Sequence, residues 1–162
     1  MRSSQMTLIL ALVLTAAASG LPVPAGHAAA PQKGGEQPSR QEDPERAVAR
    51  LVRDMQMDLE GSSSYSLLQK IDRAKFDDYP RFQDMVERLT REDTLRVFFG
   101  QVANTVKEDT AQTVLDAEME MTRKDSAVPA ERRKQQITID FERTSRGWKI
   151  INITPRDFFR PL

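Results

Sequence analysis

The most constraining feature of this sequence is an alternation between positions 111 and 121, where Gln112, Asp116, Glu118 and Glu120 occupy the polar phase. Neighbouring side chains in a β-strand point to opposite faces, so this pattern predicts a strand with one face buried and the other in solvent. The predicted inward residues are Ala111, Thr113, Leu115, Ala117, Met119 and Met121. This is the clearest strand signal in the chain.

A second strand is predicted upstream, where apolar residues alternate from Leu95 to Phe99. After Gly100 the phase changes, and Val102 and Val106 continue the apolar set. A glycine at such a break is typical of a β-bulge that bends the strand.

Two more strands are predicted downstream. The inward residues of the third strand are Ile137, Ile139 and Phe141. The fourth strand, over residues 148–153, carries apolar residues in both phases, so it is either covered on both faces or bulged. Its two alternative inward sets are Trp148 with Ile150 and Ile151 with Ile153.

Three amphipathic helices are predicted before these strands. The first is capped by Asp43, starts at Pro44 and ends at Gly61, and its apolar residues are Val48, Leu51, Val52, Met55 and Leu59. The second carries an apolar side made of Leu67, Leu68, Ile71 and Ala74. The third follows Asp77 and Asp78, which are expected to cap its N–H groups, and its apolar face is Phe82, Met85, Val86 and Leu89.

The segment before the helices has a different composition. Residues 1–30 contain an apolar run that is too short to span a bilayer, and they predict a signal peptide cleaved between about residues 18 and 30. Residues 31–43 are polar and predict a disordered linker, and residues 44–162 form the single predicted domain. The sequence therefore predicts an exported protein, periplasmic or secreted, with no stable membrane anchor after cleavage.

The composition excludes several kinds of site. The chain has no cysteine, and its only histidine, His27, lies in the predicted signal peptide. Nucleophile systems of the Ser/His/Asp and Cys/His types and the usual zinc sites are therefore excluded from the domain, and we expect no metal and no cofactor. The 24 basic and 24 acidic residues are interleaved, which argues against nucleic acid as a partner.

Three features resemble the nuclear-transport-factor-two-like superfamily: the order of the elements, the Asp-Tyr-Pro-x-Phe start of the third helix at 78–82, and the closing strand at 147–153. The resemblance covers about residues 45–160. It implies an α+β fold in which three N-terminal helices pack in a strongly curved, mostly antiparallel four-stranded sheet shaped like a cone. Members include ketosteroid isomerase-like enzymes, dehydratases, transport adaptors and domains without known chemistry, and the resemblance also implies dimerisation through the sheet.

We expect a non-catalytic binding or interaction module, because the predicted inward strand positions form an apolar lining without a titratable side chain. The candidate ligand-binding residues of a small apolar cone pocket are Tyr65, Tyr79, Phe82, Met119 and Trp148. The expected partners are a small apolar ligand, an envelope protein or a second copy of the chain. The alternative function is a cofactor-free lyase or isomerase, with Tyr65 or Tyr79 and one of Asp72, Asp77 and Asp78 at the mouth of the cone.

Three surface features each have two interpretations. If the apolar positions of the second and third strands match, Asp116 lies opposite Asp140 on the outer face, as part of a solvated surface or of a site for a cation or basic partner. A basic group of Arg123, Lys124, Arg132, Arg133 and Lys134 either keeps a hairpin end soluble or meets anionic lipid headgroups. Phe158 and Phe159 either fold back to plug the cone or dock on another subunit.

Overall fold

The structure is a computed structural model, and it describes residues 43–125, 127 and 129–162. The predicted signal peptide and residues 31–42 of the predicted linker lie outside the described residues. The described elements are three α-helices, α1 (Pro44–Glu60), α2 (Ser64–Gln69) and α3 (Tyr79–Glu92), and four strands, β1 (Asp93–Lys107), β2 (Thr110–Arg123), β3 (Glu131–Thr144) and β4 (Gly147–Thr154). A short 3₁₀ helix (Arg156–Phe159), called here the C-terminal turn, follows β4.

The four strands form one antiparallel sheet in the order β1-β2-β3-β4, so each strand pairs with its neighbour in the sequence. The sheet curls around the helices and shares one apolar core with them. The predicted α+β fold class is confirmed. Within the described residues, no helix combines the length and apolar character needed to cross a bilayer.

Helix α1 begins and ends as its sequence predicts. The side chain of Asp43 accepts a hydrogen bond from the N–H of Glu45 at 3.1 Å, Pro44 occupies the first turn, and Gly61 follows the last one. The buried residues of α1 are Val48, Val52, Met55 and Leu59. Local capping and helical periodicity are enough to set these bounds, because both act within a few residues.

Helix α2 is shorter than predicted. It ends at Gln69, and the chain then pairs in parallel with β4: Asp72 N–H donates to the Ile150 carbonyl at 2.9 Å, and Ile150 N–H donates to the Lys70 carbonyl at 2.9 Å. Ile71 is buried, whereas Ala74 is exposed, so the predicted extension of the apolar side to Ala74 is wrong. This pairing gives hydrogen-bond partners to the N–H and carbonyl groups of Ile150 at the edge of β4. A longer α2 would leave those two groups without these partners.

The start of α3 differs from the predicted cap. Asp78 has a left-handed backbone with φ of 46°, and its side chain makes no capping hydrogen bond, so the predicted capping role of Asp78 is wrong. The Asp78 carbonyl accepts the Phe82 N–H at 3.2 Å instead. The first turn of α3 therefore has no carboxylate cap from this residue.

Both predicted irregularities of the strands are β-bulges. In β1 the register shifts between Gln101 and Ala103, which leaves Val102 as the extra residue and 55% exposed. The predicted burial of Val102 is therefore wrong. In β4 the register shifts around Ile151, so Ile150 and Ile153 are both buried. The core-facing residues are thus one from each predicted inward set, rather than either complete set.

All six predicted inward residues of β2 are buried, as are the three of β3. The predicted pairing of Asp116 with Asp140 is wrong, because Asp116 lies opposite Gln136 and Asp140 lies opposite Gln112. Gln136 Nε2 donates to Asp116 at 3.1 Å, and Gln112 Nε2 donates to Asp140 at 2.8 Å. Each carboxylate thus faces an amide, which removes the predicted repulsion between like charges.

The β1 edge of the sheet receives a side-chain hydrogen bond. Glu60, the last residue of α1, accepts the N–H of Val97 through Oε1 at 2.9 Å. This contact joins α1 to the sheet and satisfies an edge N–H that no strand pairs.

Candidate functional site

Aromatic side chains fill the interior between α3 and β1. Phe158 and Phe159 are fully buried, with their ring centroids 5.2 Å apart. Phe159 packs edge-on against Phe82 at 5.5 Å, and Phe158 lies 6.3 Å from Phe99. The predicted fold-back of these two residues is confirmed, and the predicted sticky tail is wrong because both rings are inside the core.

Two arginines hold the C-terminal residues in place. Arg133 Nη1 donates to the carbonyl oxygens of Asp157, Phe158 and Arg160 at 3.2, 3.0 and 2.7 Å. Arg123 donates to the carbonyl of Leu162. These contacts fix the segment that fills the interior.

The predicted basic group does not form an open patch. Besides Arg123 and Arg133, Lys124 Nζ donates to the Thr90 carbonyl at 2.9 Å. On the outer face, Arg132 lies 2.8 Å from Glu120, and Lys134 lies 2.8 Å from Glu118. All five cations thus have a hydrogen-bond or ion-pair partner within the chain.

One carboxylate lies on the inner face of the sheet. Asp93, the first residue of β1, is fully buried, and Arg123 Nε lies 3.3 Å from its Oδ1. Neither oxygen of Asp93 has a well-aligned hydrogen bond. The charge of Arg123 is therefore the main interaction that offsets the cost of burying this carboxylate. The expectation of an inner face without a titratable group is wrong. Asp93 precedes Leu95 by two residues, so it lies on the same face of β1 as Leu95 and Val97. This spacing is the sequence signal that places Asp93 on the inner face.

Arg123 also binds the neighbouring carboxylate of Glu92, with Nη1 2.6 Å from Oε2. Desolvation raises the pKa of Glu92, but the hydrogen bond from Arg123 and the charges of Arg88, Arg123 and Arg91 together lower it below its usual 4.5. A carboxyl group whose pKa is lower in the folded state stabilises the fold above its unfolded pKa, and this contribution is lost as the pH falls through the folded pKa.

We therefore expect Glu92→Gln to lose less stability than the unsubstituted protein when the pH falls from 7 to about 3, because glutamine has no proton to take up. The thermal unfolding midpoint, followed by circular dichroism at both pH values, measures this difference. Glu45→Gln, an exposed change in the first turn of α1, is the control and should follow the unsubstituted protein. Parallel pH profiles for Glu92→Gln and the unsubstituted protein would contradict the prediction.

The outer face of the sheet combines paired charges with exposed apolar residues. Hydrogen bonding to Arg132 lowers the pKa of Glu120, and Arg96, opposite Glu120 in the β1-β2 register, lowers it further. Beside these pairs, Phe98 is 63% exposed. Val102, the extra residue of the β1 bulge, is 55% exposed.

A groove lies outside the aromatic interior. It has a volume of about 490 Å³ and is formed by the start of α3, the end of β4 and the C-terminal turn. We call it the α3 groove. Its charged residues are Asp77, Asp78, Arg81, Arg156, Asp157 and Arg160. Phe82, Met85 and Ile153 form its apolar part.

The structure does not bring the five predicted ligand-binding residues together. Tyr79, Phe82 and Met119 are core residues, although Phe82 also lines the α3 groove, and Tyr65 is 72% exposed on α2. Trp148 lines a separate groove of about 270 Å³ against α1. A ligand-binding role for these residues stays a prediction.

The residues of the alternative catalytic site are also spread out. Asp77 and Asp78 line the α3 groove, whereas neither tyrosine does, and the hydroxyl of Tyr79 is buried without a hydrogen-bond partner among the described residues. Asp72 accepts the N–H of Ala74 at 3.0 Å. In the described part of the chain, no cluster of three or more carboxylate, histidine or cysteine residues has the arrangement of a metal site.

Comparison with solved structures shows the fold. A conserved protein from Planctomyces limnophilus superposes with a TM-score of 0.62 at 12% identity, over 67% of this chain and 91% of the other. A nuclear transport factor 2-like superfamily protein from Salmonella enterica gives 0.58 at 8% identity, over 67% and 87%. A proposed dehydratase of that family from Streptomyces avermitilis gives 0.58 at 15% identity, over 67% and 91%. No protein-family model and no curated protein matches the sequence.

Proposed function

We propose that this chain, which has the nuclear-transport-factor-two-like fold, is an exported, non-catalytic interaction module that pairs with a second copy of itself through the outer face of its sheet. The observation that carries the proposal is the buried aromatic pair Phe158 and Phe159. A catalytic cone needs room for a substrate next to its acid and base groups. Here the C-terminal turn occupies space between α3 and β1.

The titratable groups support the same function. The inward carboxylate of Asp93 is fully buried and faces Arg123, so it is held as an ion pair. Asp77 and Asp78 lie in the α3 groove, without a tyrosine beside them in the groove lining. An acid and an electrophilic group aimed at one reacting atom would be needed for the lyase or isomerase function.

The outer face favours a second copy as partner for two reasons. First, Phe98 lies opposite Glu118 on the outer face and is 63% exposed, and its ring lies against the Gly100 position, where a Cβ atom would meet it at 3.4 Å. Second, the neighbouring charges are already paired within the chain, so two copies of this face would not repel each other. A two-fold contact between identical surfaces has this self-complementary character.

Phe98→Asp should therefore shift the protein from dimer to monomer. The change places a charge in the centre of the proposed contact, where desolvation is costly. Sedimentation velocity at about 50 μM protein measures the effect, since a specific dimer interface of about 1,600 Å² is commonly stable at that concentration. Tyr65→Asp removes an aromatic ring of α2 that is 72% exposed, and this variant should stay dimeric. A monomeric unsubstituted protein, or a dimeric Phe98→Asp variant, would contradict self-association through this face.

A further inference from the structure

The α3 groove holds charges of both signs that lack partners. Arg160 lies 2.6 Å from Asp157, so those two charges offset each other. Arg81 and Arg156 form no ion pair with any described residue, and the side-chain carboxylates of Asp77 and Asp78 have no hydrogen-bond or ion-pair partner among the same residues. Two cations and two anions therefore remain around one open groove of about 490 Å³, a volume typical of small-molecule sites.

Arg156 is held ready to bind an anion. Its guanidinium lies 4.5 Å from the centroid of the Phe76 ring, and Nη1 donates to the Asp77 carbonyl at 2.7 Å. A second, longer contact joins Nη2 to Asn152 Oδ1 at 3.4 Å. Stacking and hydrogen bonding thus orient the planar group, and its other N–H donors stay available.

Arg81 is the second cation of the groove without an ion-pair partner among the described residues. It lies in the first turn of α3, where the helix dipole disfavours a positive side chain, and it is exposed. The side chain of Asp78 does not cap this turn. A carboxylate bound between Arg81 and Arg156 would offset both cations.

We propose that the α3 groove binds a small zwitterion with an apolar body, of the class of free dipeptides. The carboxylate lies toward Arg81 and Arg156, the ammonium group lies toward Asp77 and Asp78, and apolar side chains contact Met85. A purely anionic ligand would face the two carboxylates, and a purely cationic one would face the two arginines. This site goes beyond the proposed function, because it lies away from the outer face of the sheet.

The first experiment separates the two charges of the ligand. Leucyl-leucine is titrated into the full domain and followed by isothermal titration calorimetry or amide chemical shifts. N-acetyl-leucyl-leucine lacks the ammonium group, and leucyl-leucinamide lacks the carboxylate. We expect saturable binding of leucyl-leucine and at least about tenfold weaker binding of each capped peptide, as the loss of one charge-assisted hydrogen bond predicts.

The second experiment assigns each charge to its residue. Arg81→Gln should weaken leucyl-leucine binding by about fivefold or more and should reduce the preference over leucyl-leucinamide, with Arg156 retaining part of it. Asp78→Asn keeps a side chain that tolerates the left-handed backbone, and it should reduce the preference over N-acetyl-leucyl-leucine, with Asp77 retaining part of it. The matched controls are Arg53→Gln on α1 and Asp84→Asn on α3, both exposed and outside the groove lining, and both should bind as the unsubstituted protein does.

Three results would overturn the proposal. One is the absence of saturable binding of leucyl-leucine up to about 10 mM, well above the weak end of specific affinities. Another is equal binding of the capped and uncapped peptides. The third is an equal loss of binding in the control variants. Phe98→Asp should keep full dipeptide binding, so failure of the proposed dimer and failure of this site are distinguishable.

Discussion

Phe158→Ala lowers the free energy of unfolding by about 3–5 kcal/mol, the range observed when a buried phenylalanine is truncated. Phe158 is fully buried, and its ring packs against Phe159 and Phe99. Truncation removes the apolar area of the ring and leaves a cavity that the surrounding strands cannot close, because Arg133 holds the backbone carbonyls of the same turn. Urea unfolding followed by Trp148 fluorescence measures the change in free energy.

The matched control is Phe98→Ala. Phe98 is 63% exposed, so in the isolated protomer its truncation should cost less than about 0.5 kcal/mol. This comparison is made at low protein concentration to avoid self-association. A loss of stability below about 1 kcal/mol in Phe158→Ala would mean that the C-terminal turn is not part of the core, and it would remove the main support for the non-catalytic function.

Arg123→Ala should be as destabilising as the loss of Phe158. The change leaves the buried carboxylate of Asp93 without its cation, and breaking a buried ion pair on one side costs about 3–5 kcal/mol. It also removes the contacts of Arg123 with Glu92 and with the carbonyl of Leu162. The free energy of unfolding in urea at pH 7 is the measurement.

Two further variants identify the cause of this loss. In Asp93→Asn with Arg123→Ala, the buried charge is absent, so part of the stability should return. Arg132→Ala removes a cation of the outer face that is 59% exposed, and it should cost at most about 1 kcal/mol. If the double variant is no more stable than Arg123→Ala alone, the uncompensated charge of Asp93 is not the reason for the loss.

The sequence predicts those parts of the fold that depend on local patterns. The alternation over β2, the cap at Asp43 and the end of α1 at Gly61 all follow from interactions within a few residues, and the structure confirms them. The burial of Phe158 and Phe159 follows from the cost of exposing large apolar side chains. The prediction of the fold was right because several such signals agree.

Other features depend on how segments meet, and these were wrong or missing. The apolar pattern of β2 and β3 fits more than one register, so it did not distinguish Gln136 from Asp140 as the partner of Asp116. The left-handed backbone of Asp78 belongs to a turn that brings distant segments together, which no capping rule anticipates. The α3 groove joins residues 77–85 with residues 152–160, and no local pattern connects them.

The β4 edge of the sheet is closed by the short parallel pairing of Ile71 with Ile150, and the Glu60 side chain occupies the Val97 N–H on the opposite edge. Strands from other molecules therefore find few vacant hydrogen-bonding positions at these points. Growth by edge-to-edge addition is therefore hindered at these two points of the sheet. The proposed face-to-face dimer would in addition close on itself, because a two-fold contact between identical surfaces ends at two subunits.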